Sequence, residues 1–238
     1  MKEQQVELEQ FLESTKVGDN YKLVPVQSGR NSQVFKVHRS SGDWFLKKYH
    51  QHPEDRRDRL GTEFGFLQFL WGKKIRQIPE PIICDRVHHL GIFSFINGSR
   101  PKEVEPRHIS QAVQFILQIN QFRECAGDST LPNASEACFS VNEHLNSVDH
   151  RLKDLTRLEG DSELVKQAQE FVEKCLIQKW SQVKEHIEKV IRKNNFEESL
   201  SQEERILSPS DFGFHNTLES EQGDLSFIDF EYAGWDDP

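Results

Sequence analysis

Cysteine is scarce in this 238-residue chain: its four copies, Cys84, Cys125, Cys138 and Cys175, stand far apart, with no Cys-x-x-Cys pair. That spacing suggests neither a disulfide framework nor a zinc site, and reduced thiols in a cytoplasmic protein are the simplest account. Long apolar runs are missing as well. No stretch approaches the roughly 20 residues of a membrane span, and Met1-Lys2-Glu3-Gln4-Gln5 lacks the apolar core of a signal peptide. Without export, Asn97-Gly98-Ser99 and Asn133-Ala134-Ser135 are chance matches to a glycosylation signal. No block of basic residues offsets the acidic ones: 30 Lys and Arg stand against 39 Asp and Glu, a net charge of −9, which argues against a nucleic-acid partner. Like charge keeping an acidic protein soluble explains that value better than a cationic substrate does. No internal repeat is present, and nothing fixes the oligomeric state.

What is there is enough for one domain or two small ones with a real core. Hydrophobic residues make up 35% and charged residues 29%, so long helices should be solvated over most of their circumference. Residues 2–14 read as a short helix with Val6, Leu8, Phe11 and Leu12 on its apolar side, a lid or edge piece without chemistry. From Tyr21 the texture turns to β: residues 22–26, 33–38 and 44–49 predict three consecutive antiparallel strands, with Pro25 marking the first as an edge. The turn Ser28-Gly29-Arg30-Asn31-Ser32 is a candidate phosphate-covering loop. Gly29 admits close backbone approach, while Ser28, Asn31 and Ser32 offer donors.

Alternation along the third strand puts Phe45 and Lys47 on one face, so Lys47 can point toward a nucleotide under the sheet while Lys48 faces solvent. A partner follows in a helix predicted from Arg59 to Trp71, with Leu60, Phe64, Leu67 and Trp71 as its stripe. Glu63 borders that stripe, where it can face the sheet and pair with Lys47. Gly61 and Gly65 cost such a helix about 1 kcal/mol each unless they mark close approach to the sheet. Ile78-Pro79-Glu80-Pro81-Ile82 reads as a rigid connector, and Leu90 to Gly98 as a buried strand ending in a hinge. Beyond it the chain is helical. Pro106–Arg123 carries Ile109, Val113, Ile116 and Leu117 as a core stripe. Helices over 140–158 and 162–193 follow, the latter striped by Leu164, Ala168, Phe171, Cys175, Val183, Ile187 and Val190. His88, His89, His144 and His150 lack the company of a metal site and read as surface residues.

The last thirty residues carry the most information. Asp211 sits in a loop after a short apolar run, Asn216 opens a second run five residues later, and Asp229 ends a third. The acidic turn Glu219–Asp224 links the last two. Short elements thus bring three oxygen-bearing groups to one edge of a small β-structure. Phosphoryl transfer needs such a set: one carboxylate for the attacking hydroxyl, and an amide oxygen with a second carboxylate for Mg²⁺.

Asp211-x4-Asn216 followed by Asp229-Phe230-Glu231 resembles the aminoglycoside phosphotransferase and choline kinase-like family, relatives of the protein kinases. The resemblance runs from about Tyr21 to Pro238. It implies an α+β, two-lobed kinase-like fold with an antiparallel-sheet lobe over 1–97 and a mainly helical lobe over 98–238, and further helices beyond Pro238 that this sequence does not carry. It makes Asp211 the catalytic residue, and Asn216 and Asp229 the metal ligands. Lys47 and Glu63 become the phosphate-binding pair, Ser28, Gly29, Asn31 and Ser32 the phosphate cover, and backbone around Ser94, Phe95 and Ile96 the adenine contact. The helical pair before the catalytic loop matches the insertion that shapes an acceptor pocket, or is a hairpin that merely packs, including onto a second subunit. The implied activity moves the γ-phosphate of ATP or GTP, with Mg²⁺, to a small-molecule hydroxyl on an amino sugar, sugar or amino alcohol. The alternative is a nucleotide-binding regulatory module without catalysis. A protein kinase is disfavoured because no activation segment follows Asp229. Where the family has His-Gly before its catalytic Asp, this chain has Pro209-Ser210; where the family has His-Pro-Gly before the Asn, it has Gly213-Phe214-His215.

Overall fold

The computed structural model describes residues 2–15, 20–26, 32–52, 55, 57–126, 131–194 and 199–238. The chain forms two compact units, Met1–Glu136 with Ile206–Asp236, and Ala137–Arg205 with Asp237–Pro238.

The first unit is built on a five-stranded antiparallel sheet in the order β1-β2-β3-β5-β4, comprising β1 (Tyr21–Val26), β2 (Ser32–Arg39), β3 (Trp44–Tyr49), β4 (Pro81–Asp85) and β5 (Leu90–Ser94). Pro25 does lie in an edge strand, where its missing N–H is least costly. Alternation gives the sheet two different faces. On one, Val37, Leu46, Leu90 and Ile92 pack with Leu8, Phe11 and Leu12 of α1 (Lys2–Ser14) in one buried cluster. Each such side chain is worth about 1.5–3 kcal/mol when taken from water. The first helix is therefore core, not the lid or edge piece expected. On the other face Phe45 stacks on Phe93 at 5.0 Å, and Phe93 meets Phe64 of α2 (Arg59–Gly72) at 6.0 Å.

Helix α2 starts at Asp58, whose carboxylate accepts from the Gly61 amide at 2.9 Å. Its buried face is Arg59, Leu60, Glu63, Phe66, Leu67 and Leu70, so Phe66 and Leu70 replace the expected Phe64 and Trp71. The close approach to the sheet is made at neither helical glycine. A Cβ at Gly91 would stand 3.1 Å from Leu60 and 2.8 Å from the Phe93 ring, so the strand supplies the missing atom. What reads as a mere connector at Pro81 is already strand β4.

After β5 come α3 (Pro106–Asn120), a single turn α4 (Arg123–Ala126) and two small ladders. Strand β6 (Ile206–Ser208) pairs with β9 (Gly234–Asp236), and β7 (Thr217–Glu219) with β8 (Leu225–Phe227). The stripe expected to bury α3 does the reverse: Ile109, Val113 and Leu117 are more than half exposed. With Phe212 and Phe214 they line an apolar groove of about 310 Å³. The inward face is His108, Phe115 and Ile119, with Phe115 stacked 4.3 Å from Phe227.

The second unit holds α5 (Val141–Leu155), α6 (Glu163–Phe171) and α7 (Ile177–Asn194), the last two joined through a π-helical turn, Val172–Leu176. Asp149 on α5 accepts from Trp180 Nε1 at 2.7 Å and pairs with Lys184 at 2.5 Å. The expected stripe fails here too: Leu164, Phe171 and Cys175 are exposed, whereas Val172 and Ile191 are buried. A π turn inserts an extra residue and rotates everything after it, which a constant 3.6-residue period cannot register.

Candidate active site

Strand β3 delivers Lys47 to the face covered by α2. Its ammonium is buried and lies 2.8 Å from Glu63 Oε2, 2.6 Å from Asp229 Oδ1 and 3.4 Å from Glu231 Oε2. Burial alone would lower the lysine pKa, but the Glu63, Asp229 and Glu231 charges together hold it well above the ordinary value. Lys47 is therefore a fixed cation at any physiological pH. Glu63 is raised by burial, with Lys47 opposing that shift.

Glu63 is held by more than the lysine. Tyr49, two residues on and hence on the same strand face, donates its hydroxyl to Glu63 Oε2 at 2.6 Å, and the Phe230 amide donates to Oε1 at 3.3 Å. Burial and the Glu63 charge push the Tyr49 phenol well up, so it stays a donor. Arg59 reaches Asp55 on one side and stands 3.9 Å from Glu231 on the other. The resulting chain of alternating charge is fixed at both ends of α2's first turns.

Asp229 takes a left-handed backbone, φ 68°, and the next residue, Phe230, is locked into a stack of rings. Phe66 of α2 lies 5.6 Å from Phe230, Phe230 lies 6.3 Å from Phe115 of α3, and Phe115 lies 4.3 Å from Phe227 and 5.9 Å from Phe212. These rings join the helix bearing Glu63, the segment bearing Asp229 and the loop bearing Asp211 through apolar contacts, each pair worth about 0.5–1.5 kcal/mol beyond area burial.

In the loop, Asp211 is half exposed. Its carboxylate meets His215 Nε2 at 3.2 Å and accepts from Asn216 Nδ2 at 3.3 Å, while Asn216 Nδ2 also donates to the Asp211 carbonyl at 3.0 Å. The Ile228 amide donates to the Asn216 carbonyl at 2.9 Å, which ties Asn216 to the residue before Asp229. With its nitrogen engaged by Asp211, Asn216 presents its side-chain carbonyl oxygen, the atom a hard cation takes. Asp229 keeps a second carboxylate oxygen beyond the one on Lys47. Asn216 and Asp229 each have an oxygen that could serve a divalent cation, whereas the buried set Glu63, Asp229 and Glu231, whose oxygens lie within 4.8 Å of one another, already surrounds the Lys47 ammonium.

Of the other expected positions, Ser28, Gly29 and Asn31 lie outside the described residues, and Ser32 is buried at the start of β2 opposite Tyr49. At the end of β5 the Ser94 amide is taken by the Glu80 carbonyl at 2.9 Å and the Phe95 amide by the Asp43 carbonyl at 3.3 Å. The Ile96 amide has no backbone partner among the described residues. Two contributors escaped the sequence reading. Tyr49 was findable from strand alternation with Lys47, and Glu231 from its place two residues after Asp229. His88, which pairs with Asp85 at 2.7 Å, and His144 are surface residues as expected. Among the described residues no helix is long and apolar enough to cross a membrane.

No curated protein sequence matches the chain. Among solved structures, a choline kinase from Cryptosporidium parvum Iowa II is 16% identical with a TM-score of 0.59, covering 91% of this chain and 59% of that one. A ternary complex of streptomycin, ATP and APH(2″)-IIa is 18% identical, TM-score 0.58, over 96% and 72%. Spectinomycin phosphotransferase APH(9)-Ia bound to AMP is 16% identical, TM-score 0.60, over 96% and 71%. The chain thus spans 59% of the length of the choline kinase it resembles. At these identities the likeness is one of fold, an α+β kinase-like architecture in agreement with the class expected from sequence. The sequence pattern described as phosphotransferase enzyme family matches residues 22–238, nearly the whole chain, and the chain belongs to that family.

Proposed function

We propose that this protein moves the γ-phosphate of ATP, with Mg²⁺, to a hydroxyl of a small molecule of the amino sugar, sugar or amino alcohol class. The observation that carries the reading is the meeting of Lys47 with Glu63 at 2.8 Å and with Asp229, 182 residues away, at 2.6 Å. A buried, permanently charged ammonium beside a half-exposed carboxylate is suited to holding a polyphosphate next to its metal. Lys47 binds the phosphates, positioned by Glu63. Asn216 and Asp229 would hold Mg²⁺, which when bound neutralises phosphate charge. Asp211 orients the acceptor hydroxyl and takes its proton. Ser28, Gly29, Asn31 and Ser32 cover the phosphates. With the Ser94 and Phe95 amides engaged, Ile96 is the amide left for the adenine. In this reading residues 1–97 are the nucleotide-binding lobe and 98–238 the lobe carrying the catalytic loop. A cytoplasmic setting fits four cysteines that form no disulfide. Neighbours in complex with ATP and with AMP support the nucleotide.

The test is a panel of hydroxylated metabolites with ATP and Mg²⁺. Asp211→Ala should abolish turnover and keep nucleotide binding, whereas Asp229→Ala should also lose Mg²⁺-dependent binding. Undiminished phosphorylation by Asp211→Ala protein overturns the role given to Asp211. Mg-ATP binding by the wild type without turnover on any acceptor or water favours a regulatory nucleotide-binding module instead.

A further inference from the structure

The residue types before Asn216 stand in the reverse of the order the resembling family uses, with Gly213 first and His215 last, so no role for His215 carries over from that family. The geometry supplies one. His215 Nε2 lies 3.2 Å from Asp211 Oδ1, while Asn216 Nδ2 lies 3.3 Å from Asp211 Oδ2, so each carboxylate oxygen has its own partner. A carboxylate only accepts, so Nε2 carries the bridging proton. Gly213 provides the second, independent observation. A Cβ built there would fall 2.6 Å from His215 Nδ1 and 2.7 Å from Cε1, inside any allowed contact. The imidazole therefore occupies the space that a side chain at 213 would fill, and the absence of that side chain gives the ring room to lie with Nε2 on Asp211. The Asn216 amide closes the turn onto the Gly213 carbonyl at 2.9 Å, which keeps the two residues in register.

We infer that His215, seated over Gly213, is a positioning residue that aims the Asp211 carboxylate. The inference rests on the phosphotransfer reading of Asp211. Both side chains are at least half exposed, so the loop relies on these polar contacts and not on burial for its aim. A misaimed carboxylate costs rate and leaves nucleotide affinity alone, since the phosphates are held elsewhere.

The experiment compares wild type, His215→Ala, His215→Gln, Gly213→Ala and the His215→Ala/Gly213→Ala double variant in Mg-ATP turnover, with acceptor or with water. His215→Ala should lower kcat on the order of ten-fold with KM for ATP unchanged. Gly213→Ala should do the same although His215 is intact, the double variant should be no worse than His215→Ala, and Gln should restore part of the rate. Fully additive losses, or a change confined to KM for the acceptor, overturn the inference. A wild type without any turnover overturns the proposed function itself, and an active wild type with an unaffected His215→Ala overturns only this inference. Imidazole nitrogen NMR of the nucleotide-free protein reads the contact without activity. The His215 Nε2–H signal should shift in Asp211→Ala and in Gly213→Ala, and an unmoved signal in both removes the contact.

Discussion

The two halves of the candidate site are built on opposite terms. Around Lys47, side-chain exposures are 6% for the lysine, 1% for Glu63 and 3% for Glu231, and each group is restrained by several others. In the Asp211 loop the exposures are 50% for Asp211 and 59% for His215, with a few polar contacts in open solvent. The charges around Lys47 are fixed by burial and mutual compensation. The Asp211 carboxylate is left accessible and is held by polar contacts alone. Substitutions should therefore differ in their cost to stability, large in the first half and small in the second.

The largest effect should come from Lys47→Met, which strands the buried Glu63 carboxylate without its cation and leaves Glu231 only its more distant Arg59. Breaking a buried pair this way costs about 3–5 kcal/mol, whereas Asp211→Ala should stay within about 0.5 kcal/mol of wild type. Urea unfolding of both variants decides, and similar values would erase the contrast. Next comes Tyr49→Phe, which removes a hydrogen bond to a buried carboxylate at about 1–3 kcal/mol. It should also weaken Mg-ATP binding measured by calorimetry, through a less constrained Glu63. Smaller again is Ser210→Gly. Ser210 holds φ 65°, which glycine adopts without strain, and the resembling family has glycine there. The relief of about 1–2 kcal/mol is offset by the entropy of a freer unfolded chain, leaving a net gain of about 1 kcal/mol or less. A fall in melting temperature would mean that the strain is not carried at Ser210. Least of all is Asp55, whose hydrogen bonds from Arg57, joined by the Arg57 and Arg59 charges, hold its carboxyl at about 2. A depressed carboxyl stabilises above its unfolded pKa near 4 and loses that contribution as pH falls toward 2. The melting temperature of Asp55→Asn should therefore lie below wild type at pH 6 and converge with it near pH 2.

What was legible in the sequence follows the same division. Lys47, Glu63, Asp211, Asn216 and Asp229 were readable because strand alternation, helix period and short turns fix where a side chain can go once the element is known. Periodicity names residues that share a face without saying which face turns inward, and α3 shows the cost. Its stripe of Ile109, Val113 and Leu117 is as regular as any, yet the helix turns on Phe115 because Phe227 and Phe212, more than ninety residues away, offer rings to stack on. Tyr49 and Glu231 had a local signal, their spacing of two from Lys47 and Asp229, but their partners are nonlocal. Each is an ordinary strand or loop residue until Glu63 and Lys47 are brought against it.

One consequence of the ring stack concerns heating. Because Phe230 is wedged between Phe66 and Phe115, residues 229–231 cannot swing out unless α2 and α3 separate from each other. Amide hydrogens there should exchange with deuterium only through the same rare opening that exposes the middle of those helices. The corner where Lys47 meets Asp229 would then vanish all at once at the melting transition of this unit, with no warmer intermediate in which it has merely softened.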